Sequence, residues 1–207
     1  MAIHDELLQD NEDEDTGPHE ACAGLFSCIS ESIPQAAQYD GPGVIMGSTS
    51  VDITPTTRGF ELTTQQWVPQ PRDRVFAFFS DPLNLERLTP AFLNFHVRRR
   101  STADIREGTL LTYTLRLHGL PVIWRTRIDE WRPPERFVDV QLFGPYAEWH
   151  HTHTFTEANG GTVLGDVVRY RLHFAFIQRS ALMAWVHRDV RRIFEYRQSV
   201  IAGMFGT

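Results

Sequence analysis

Lysine is absent from this 207-residue chain, and all 20 of its basic residues are arginine. That excludes Schiff-base chemistry and the phosphate-gripping lysine of Walker-type loops. Only two cysteines occur, Cys22 and Cys28, so neither a disulfide framework nor a cysteine-based zinc site is supported. No apolar run approaches the roughly 20 residues that a membrane span needs, and no stable membrane insertion is expected. Asp5, Glu6, Asp10, Glu12, Asp13, Glu14 and Asp15 give the first residues the wrong charge for a signal or transit peptide. A cytoplasmic protein is the expectation.

The net charge of −6 is unevenly spread. Residues 1–58 hold 11 acids and one arginine, whereas residues 59–207 hold 15 acids and 19 arginines. The first stretch is read as an acidic, largely disordered leader. It lacks sustained periodicity, and Pro34, Gly41, Pro42, Gly43, Gly47 and Pro55 interrupt it beyond a short apolar patch at 21–29. Residues 59–207 are long enough for one domain with an adequate core.

From Phe60 the texture changes. Phe60, Leu62, Thr64, Gln66 and Val68 alternate with Glu61, Thr63, Gln65 and Trp67, the period of a strand. Val75, Phe76, Phe78 and Phe79 then mark a short helix, and Asp81-Pro82 marks the start of a second that stops before Pro90. Six strand-like runs follow, at 92–100, 109–118, 121–131, 136–143, 149–156 and 162–174. Turn chemistry separates them, including Gly119, Pro133-Pro134, Gly144-Pro145 and Asn159-Gly160-Gly161. Short connections imply an antiparallel meander. Residues 178–205 have helical spacing without Pro or Gly until Gly203. The expectation is therefore an α+β domain, a seven-stranded curved antiparallel sheet covered by a long C-terminal helix.

This order, together with particular residues, resembles the START-like helix-grip superfamily (SRPBCC), which includes polyketide cyclase/dehydrase-like and lipid-transport proteins. The residues are Val75-Phe76-Ala77-Phe78, Asp81-Pro82 and Leu88-Thr89-Pro90. They continue with Phe137-x-Asp139-x-Gln141-x-x-Gly144-Pro145, Trp149-His150-His151-x-His153-x-Phe155, and Gly160-Gly161-Thr162 through Asp166, Val168 and Tyr170. The set is similar to a bacterial cyclase/dehydrase-like subgroup, some members of which precede a sugar-epimerase-like domain; coenzyme-Q-binding relatives are more distant. The resemblance covers residues 60–205. It implies a sheet wrapped around the helix and an apolar ligand cavity between them, but no particular reaction.

Strand parity gives the inward faces from the residues alone. Leu111, Tyr113, Leu115 and Leu117 share one face, as do Trp149, His151, His153 and Phe155, and as do Val168, Tyr170, Leu172 and Phe174. A five-residue turn at 144–148 would set Gln141 opposite His151 and Asp139 opposite His153. The Asn159-Gly160-Gly161 turn would set His153 opposite Asp166 and Trp149 opposite Tyr170. Asp139, His153 and Asp166 then form a row across three strands, flanked by Gln141 and His151.

An imidazole between two carboxylates has its protonated form favoured and suits a general acid. The same row also serves as a polar ladder that fixes strand register, or as donors for a carbonyl or hydroxyl of an otherwise apolar ligand. The ligand set lacks the helical or loop spacing of a recognised metal site, so neither a metal nor a cofactor is expected.

On the last helix, Leu182, Val186, Asp189, Ile193, Arg197, Val200 and Met204 fall on one side, opposite His187, Arg188, Arg191, Glu195 and Gln198. Asp189 and Arg197 on an apolar stripe need partners: the sheet, a water, or a ligand head group. Tyr113, Leu115, Trp124, Trp149, Phe155, Tyr170 and Trp185 would line a ring-accepting pocket, with Gln141, His151, Asp189 and Arg197 as polar contacts. His118, His150, His173 and His187 are expected in solvent.

Three functions follow. One is binding of a small apolar or aromatic ligand, such as a lipid, quinone or polyketide-like molecule. The second is cyclisation or dehydration of a polyketide-like carbonyl substrate, with His153 oriented by Asp139 or Asp166. The third is a regulatory module whose acidic leader masks an arginine-rich surface. Arg98, Arg99 and Arg100 run together, yet no basic stripe or recognition motif supports nucleic-acid binding.

Overall fold

A computed structural model describes residues 50–173 and 181–206. Eight strands form one antiparallel sheet: β1 (Val51–Pro55), β2 (Phe60–Val68), β3 (His96–Arg100), β4 (Leu110–Leu117), β5 (Leu120–Arg132), β6 (Arg136–Phe143), β7 (Glu148–Ala158) and β8 (Gly161–Arg171). Their spatial order is β1-β2-β8-β7-β6-β5-β4-β3. Between β2 and β3 lie the short helices α1 (Arg72–Phe79) and α2 (Asn84–Arg87) and a 3₁₀ turn at Ala91–Leu93. The long helix α3 spans Ala181–Phe205.

The sheet has one more strand than the sequence predicts. The extra one, β1, lies inside the stretch assigned to the leader. It is only five residues long and ends in Pro55, but Val51 and Ile53 alternate with exposed Asp52 and Thr54. Val51 pairs with Thr64 and Ile53 with Leu62, and Val51 is buried in the core beside α3. Such a run is too short for periodicity to distinguish it from its polar surroundings. Residues 1–49, with Cys22, Cys28 and the 21–29 patch, lie outside the described residues, as does Phe174. The 92–100 run also divides: its first residues form the 3₁₀ turn, and extended pairing begins at His96.

Two hairpins are fixed by left-handed turn residues. His118 (φ 51°) and Gly119 (φ 83°) join β4 to β5, and Asn159 (φ 52°) and Gly160 (φ 74°) join β7 to β8. Two consecutive positive φ values are what a two-residue type I′ turn demands, and Asn-Gly meets that demand. The second turn locks the register that pairs His153 with Asp166 and Trp149 with Tyr170, as the sequence predicts.

The β6–β7 register differs from expectation by two residues. Asp139 pairs with His151 and Phe137 with His153. Pairing between these strands stops at Val140–His150, and Gln141 turns to the connecting loop. Its side-chain Nε2 donates to the Tyr146 carbonyl at 2.6 Å. Because a two-residue slip preserves parity, every inward side chain stays inward.

Helix α3 packs across the inner face, and the core beneath it is divided. One apolar cluster gathers Val68, Val75, Phe76, Phe137, Phe155, Leu164, Ile201 and Phe205. The other gathers Val51, Leu62, Val168, Tyr170, Met183, Val190 and Phe194. Between them runs a polar belt of Thr64, Gln66, His151, His153, Asp166, Arg197 and Gln198, all buried.

The stripe read from the sequence is rotated by about 100°, one residue's turn, from the side that meets the sheet. Met183, Val190, Phe194, Arg197, Gln198, Ile201 and Phe205 are buried, whereas Leu182 is exposed and Asp189, Ile193, Val200 and Met204 are half-buried. Gln198, expected in solvent, donates to Thr64 Oγ1, and its carbonyl accepts from Gln66 Nε2 at 3.0 Å. His187 is half-buried against the rings of Phe60 and Tyr170, and burial followed by the Arg191 charge lowers its pKa.

Candidate functional site

Between the concave sheet and α3 lies a cavity of about 190 Å³. Its apolar walls come from alternate residues of β4 and β5 (Leu111, Tyr113, Leu115, Trp124, Ile128), from Phe79 of α1 and from Phe194 of α3. Its charged end is formed by Asp139, His151 and His153 of the sheet and by Arg197 of α3. A cavity of this size is comparable with one that admits a single benzene ring.

The polar end is compact. His151 and His153 sit two residues apart on one strand, where side chains leave about 7 Å apart, yet their ring centres converge to 3.7 Å. Both reach the same two carboxylates. His153 Nε2 lies 2.9 Å from Asp139 Oδ2, and His151 Nδ1 lies 3.7 Å from that same oxygen. On the other side, His151 Nε2 and His153 Nδ1 lie 2.9 and 3.1 Å from Asp166 Oδ1. The His153 ring also stacks on Phe137, with centres 4.1 Å apart.

Arg197 closes the cluster from α3. It is 6% exposed, with Nη2 at 3.4 Å from Asp166 Oδ1 and 3.3 Å from His153 Nδ1. Its guanidinium carbon lies 4.9 Å from the Phe79 ring centre, within reach of a cation–π contact. The charge expected to need a partner therefore finds one in the sheet while still touching the cavity.

Burial and charge act against each other here. Burial lowers the His151 pKa to about 4, helped by the neighbouring His153 and opposed by the Asp166 hydrogen bond. Burial alone would raise the Asp166 pKa, but Arg197 and the hydrogen bonds of both histidines outweigh it and hold the carboxyl well below its ordinary value. Asp139 is lowered on balance in the same way, with the His153 hydrogen bond as the largest opposing contribution to burial. Burial, then the Asp139 charge, pushes the Tyr113 hydroxyl up; that hydroxyl accepts from Thr126 Oγ1 at 3.3 Å.

The other residues expected at the site are distributed elsewhere. Asp166 stands behind the histidines, with no part in the cavity lining. Phe155 and Tyr170 are fully packed in the two apolar clusters. Gln141 holds the β6–β7 loop. Trp185 is 55% exposed, because the true buried side of α3 is turned away from it; it meets His118 and the Arg188 guanidinium. Asp189 pairs with His118 Nε2 at 2.8 Å beside a second, wider groove of about 620 Å³. Trp185 lines that groove too, together with Leu117, Val186 and Arg192.

Several lining residues escaped the sequence reading. Thr126 was available from parity, since it lies two residues from both Trp124 and Ile128. Phe79, Phe95 and Phe194 carried no such signal, because nothing local says which side of a short helix or loop faces the void.

No family model and no curated protein matches the chain by sequence. Solved structures do match it by shape. A Mycobacterium smegmatis protein, Ms6760, superposes with a TM-score of 0.54 at 21% identity, covering 74% of this chain and 99% of its own. The protein Ara h 8.0201 gives 0.50 at 16% identity, over 69% of this chain and 95% of its own. Major latex-like protein 151 from Panax ginseng gives 0.53 at 10% identity, over 70% and 96%. The chain thus has the helix-grip fold, and identities this low speak to the fold alone.

Proposed function

We propose that this chain binds a small, mostly apolar or aromatic molecule in the cavity between the sheet and α3. The ligand's ring or chain would lie against Tyr113, Leu115, Trp124 and Trp149, and its one polar group would face Arg197 and the histidines. A helix-grip fold in general suits such ligands. The observation that carries the reading is the cavity itself: mostly apolar walls with one cluster of charged and imidazole side chains, Asp139, His151, His153 and Arg197, able to orient a ligand by a polar group. Among the described residues, no helix is long and apolar enough to cross a membrane.

Trp124 and Trp149 stand edge to face on the wall, with ring centres 5.2 Å apart. They supply an intrinsic reporter. Titration with a fluorescent naphthalene probe is expected to quench tryptophan emission saturably at one probe per chain, and organic extraction of freshly purified protein to release a bound apolar molecule. Absence of saturable quenching, together with an empty extract, would remove the basis for the proposal.

A further inference from the structure

The two histidines and Asp139 do more than decorate a cavity wall. Their ligand atoms lie within 4.8 Å of one another. We infer that Asp139, His151 and His153 form a three-ligand site for a divalent first-row transition-metal ion at the polar end of the cavity, with Asp166 as the positioning carboxylate behind it.

Four observations point the same way. First, one nitrogen of each ring faces one carboxylate oxygen: His153 Nε2 and His151 Nδ1 are 2.9 and 3.7 Å from Asp139 Oδ2. Second, the remaining nitrogens, His151 Nε2 and His153 Nδ1, lie 2.9 and 3.1 Å from Asp166 Oδ1. Metal-bound imidazoles are held in this manner: the outer N–H donates to a carboxylate, which fixes the tautomer and aims the other nitrogen's lone pair inward. Asp166 does this for both rings with a single oxygen, which explains why rings from a strand converge so closely.

Third, all three candidate ligands line the cavity, so further coordination positions would open toward a bound molecule. Fourth, two carboxylates, one buried (Asp166) and one half-buried (Asp139), face one guanidinium, leaving the cluster short of positive charge. Arg197 ion-pairs with Asp166 on the outer side, Nη2 to Oδ1 at 3.4 Å, and leaves the space between the three ligand atoms to the cation. Two imidazoles and one carboxylate suit zinc, cobalt or ferrous iron, and fit poorly with calcium or magnesium, which take oxygen ligands.

The competing account is a hydrogen-bonded ladder, in which a proton on His153 Nε2 takes the place of the ion. Cobalt distinguishes the two. The full chain, stripped with a chelator and titrated with Co²⁺ in the absence of any apolar ligand, is expected to take up one ion per chain. Visible d–d absorption should appear and be lost on addition of Zn²⁺. Asp139→Asn and His151→Ala are each expected to weaken uptake by well over roughly tenfold, and Asp166→Asn by roughly 10- to 100-fold with the one-to-one stoichiometry kept and the far-ultraviolet circular dichroism unchanged. His118→Ala, which removes a histidine paired elsewhere, should leave uptake unaltered.

Should the ligand variants fail to fold, zinc K-edge absorption of the wild-type complex provides the second measurement, with two imidazoles expected in the first coordination sphere. Absence of a one-to-one cobalt complex, a band indifferent to both Asp139→Asn and His151→Ala, or fewer than two imidazoles on zinc would each overturn the site. This reading does not depend on the apolar ligand: with the probe titration repeated in chelator and the cobalt titration run without ligand, either can fail alone.

Discussion

His153 and Asp139 meet on a diagonal. Asp139 is paired in register with His151, yet its Oδ2 lies 2.9 Å from His153 Nε2 and 3.7 Å from His151 Nδ1. The imidazole two residues along the strand thus captures the carboxylate more closely than the cross-strand partner does. Asp166 shows the reverse arrangement: it is paired with His153 but lies nearer His151. The two carboxylates bracket the two rings, and Arg197 adds the only guanidinium that touches them among the described residues.

Removing one member of a buried ion pair leaves the other unpaired in low dielectric, which typically costs about 3–5 kcal/mol. Arg197→Leu is therefore expected to destabilise the fold by that order, since it strands Asp166 behind the histidines. The double variant Arg197→Leu/Asp166→Leu should recover a large part of the loss. Urea unfolding followed by tryptophan emission checks this; equal costs for the single and double variants would refute the coupling.

His151 gives the fold a pH dependence whose sign is fixed. Its folded pKa, about 4, lies below the ordinary value of 6.5. Above pH 6.5 both states hold the ring neutral, and its contribution to stability is complete. As pH falls from 6.5 toward 4 the unfolded chain takes up a proton that the folded chain refuses. Stability then declines at about 1.4 kcal/mol per pH unit for one such proton. Denaturation midpoints in chelator between pH 7.5 and 4 should show this slope, and His151→Asn should flatten it.

Leu115 is buried on the cavity wall. Leu115→Trp is expected to fill the void and lower naphthalene-probe affinity at least tenfold, while overpacking costs about 1–3 kcal/mol. Affinity is read by the tryptophan-quenching titration and integrity by circular dichroism. Undiminished affinity in a folded variant would place the probe elsewhere.

The short strand β1 is structural. A chain that begins at residue 59 lacks the five ladder pairs of β1 and the buried side chain of Val51. It should unfold at a lower urea concentration than one that begins at residue 50. Burying a valine is worth about 1.5–3 kcal/mol, so the shift should be easily measured.

How much of this was legible beforehand depended on what constrains each feature. The inward faces of β4, β7 and β8 were plain, because alternation is a property of the extended backbone. The β7–β8 register was plain too, since Asn159-Gly160 permits only a tight turn. The β6–β7 register was not: residues 144–147 allow more than one closure, and the hydrogen bonds of Gln141 to its own loop decide among them. The face of α3 was misjudged for a related reason. Its sheet-facing side carries Arg197 and Gln198, which answer a polar belt on the sheet, whereas apolar Leu182, Ile193 and Val200 lie off that side. Each side carries five apolar residues, so a rule that equates apolar with buried does not choose between them, and the polar belt on the sheet does. The convergence of two histidines on shared carboxylates needs three strands and a helix at once, so no local pattern announces it.

The arginine run 98–100 acquires a different meaning from its place in the sheet. Among the described residues, strand β3 is paired on one side only, by β4, and on its other edge the Val97 N–H donates to Glu86 Oε1 at 2.8 Å. An open edge invites a strand from a second molecule, the first step of ordered aggregation. Three consecutive exposed guanidinium side chains and the irregularity between Val97 and Arg99 make that edge electrically repulsive and unevenly pleated. The cations on β3 lie in solvent at the edge of the sheet, whereas the buried Arg197 lines the cavity.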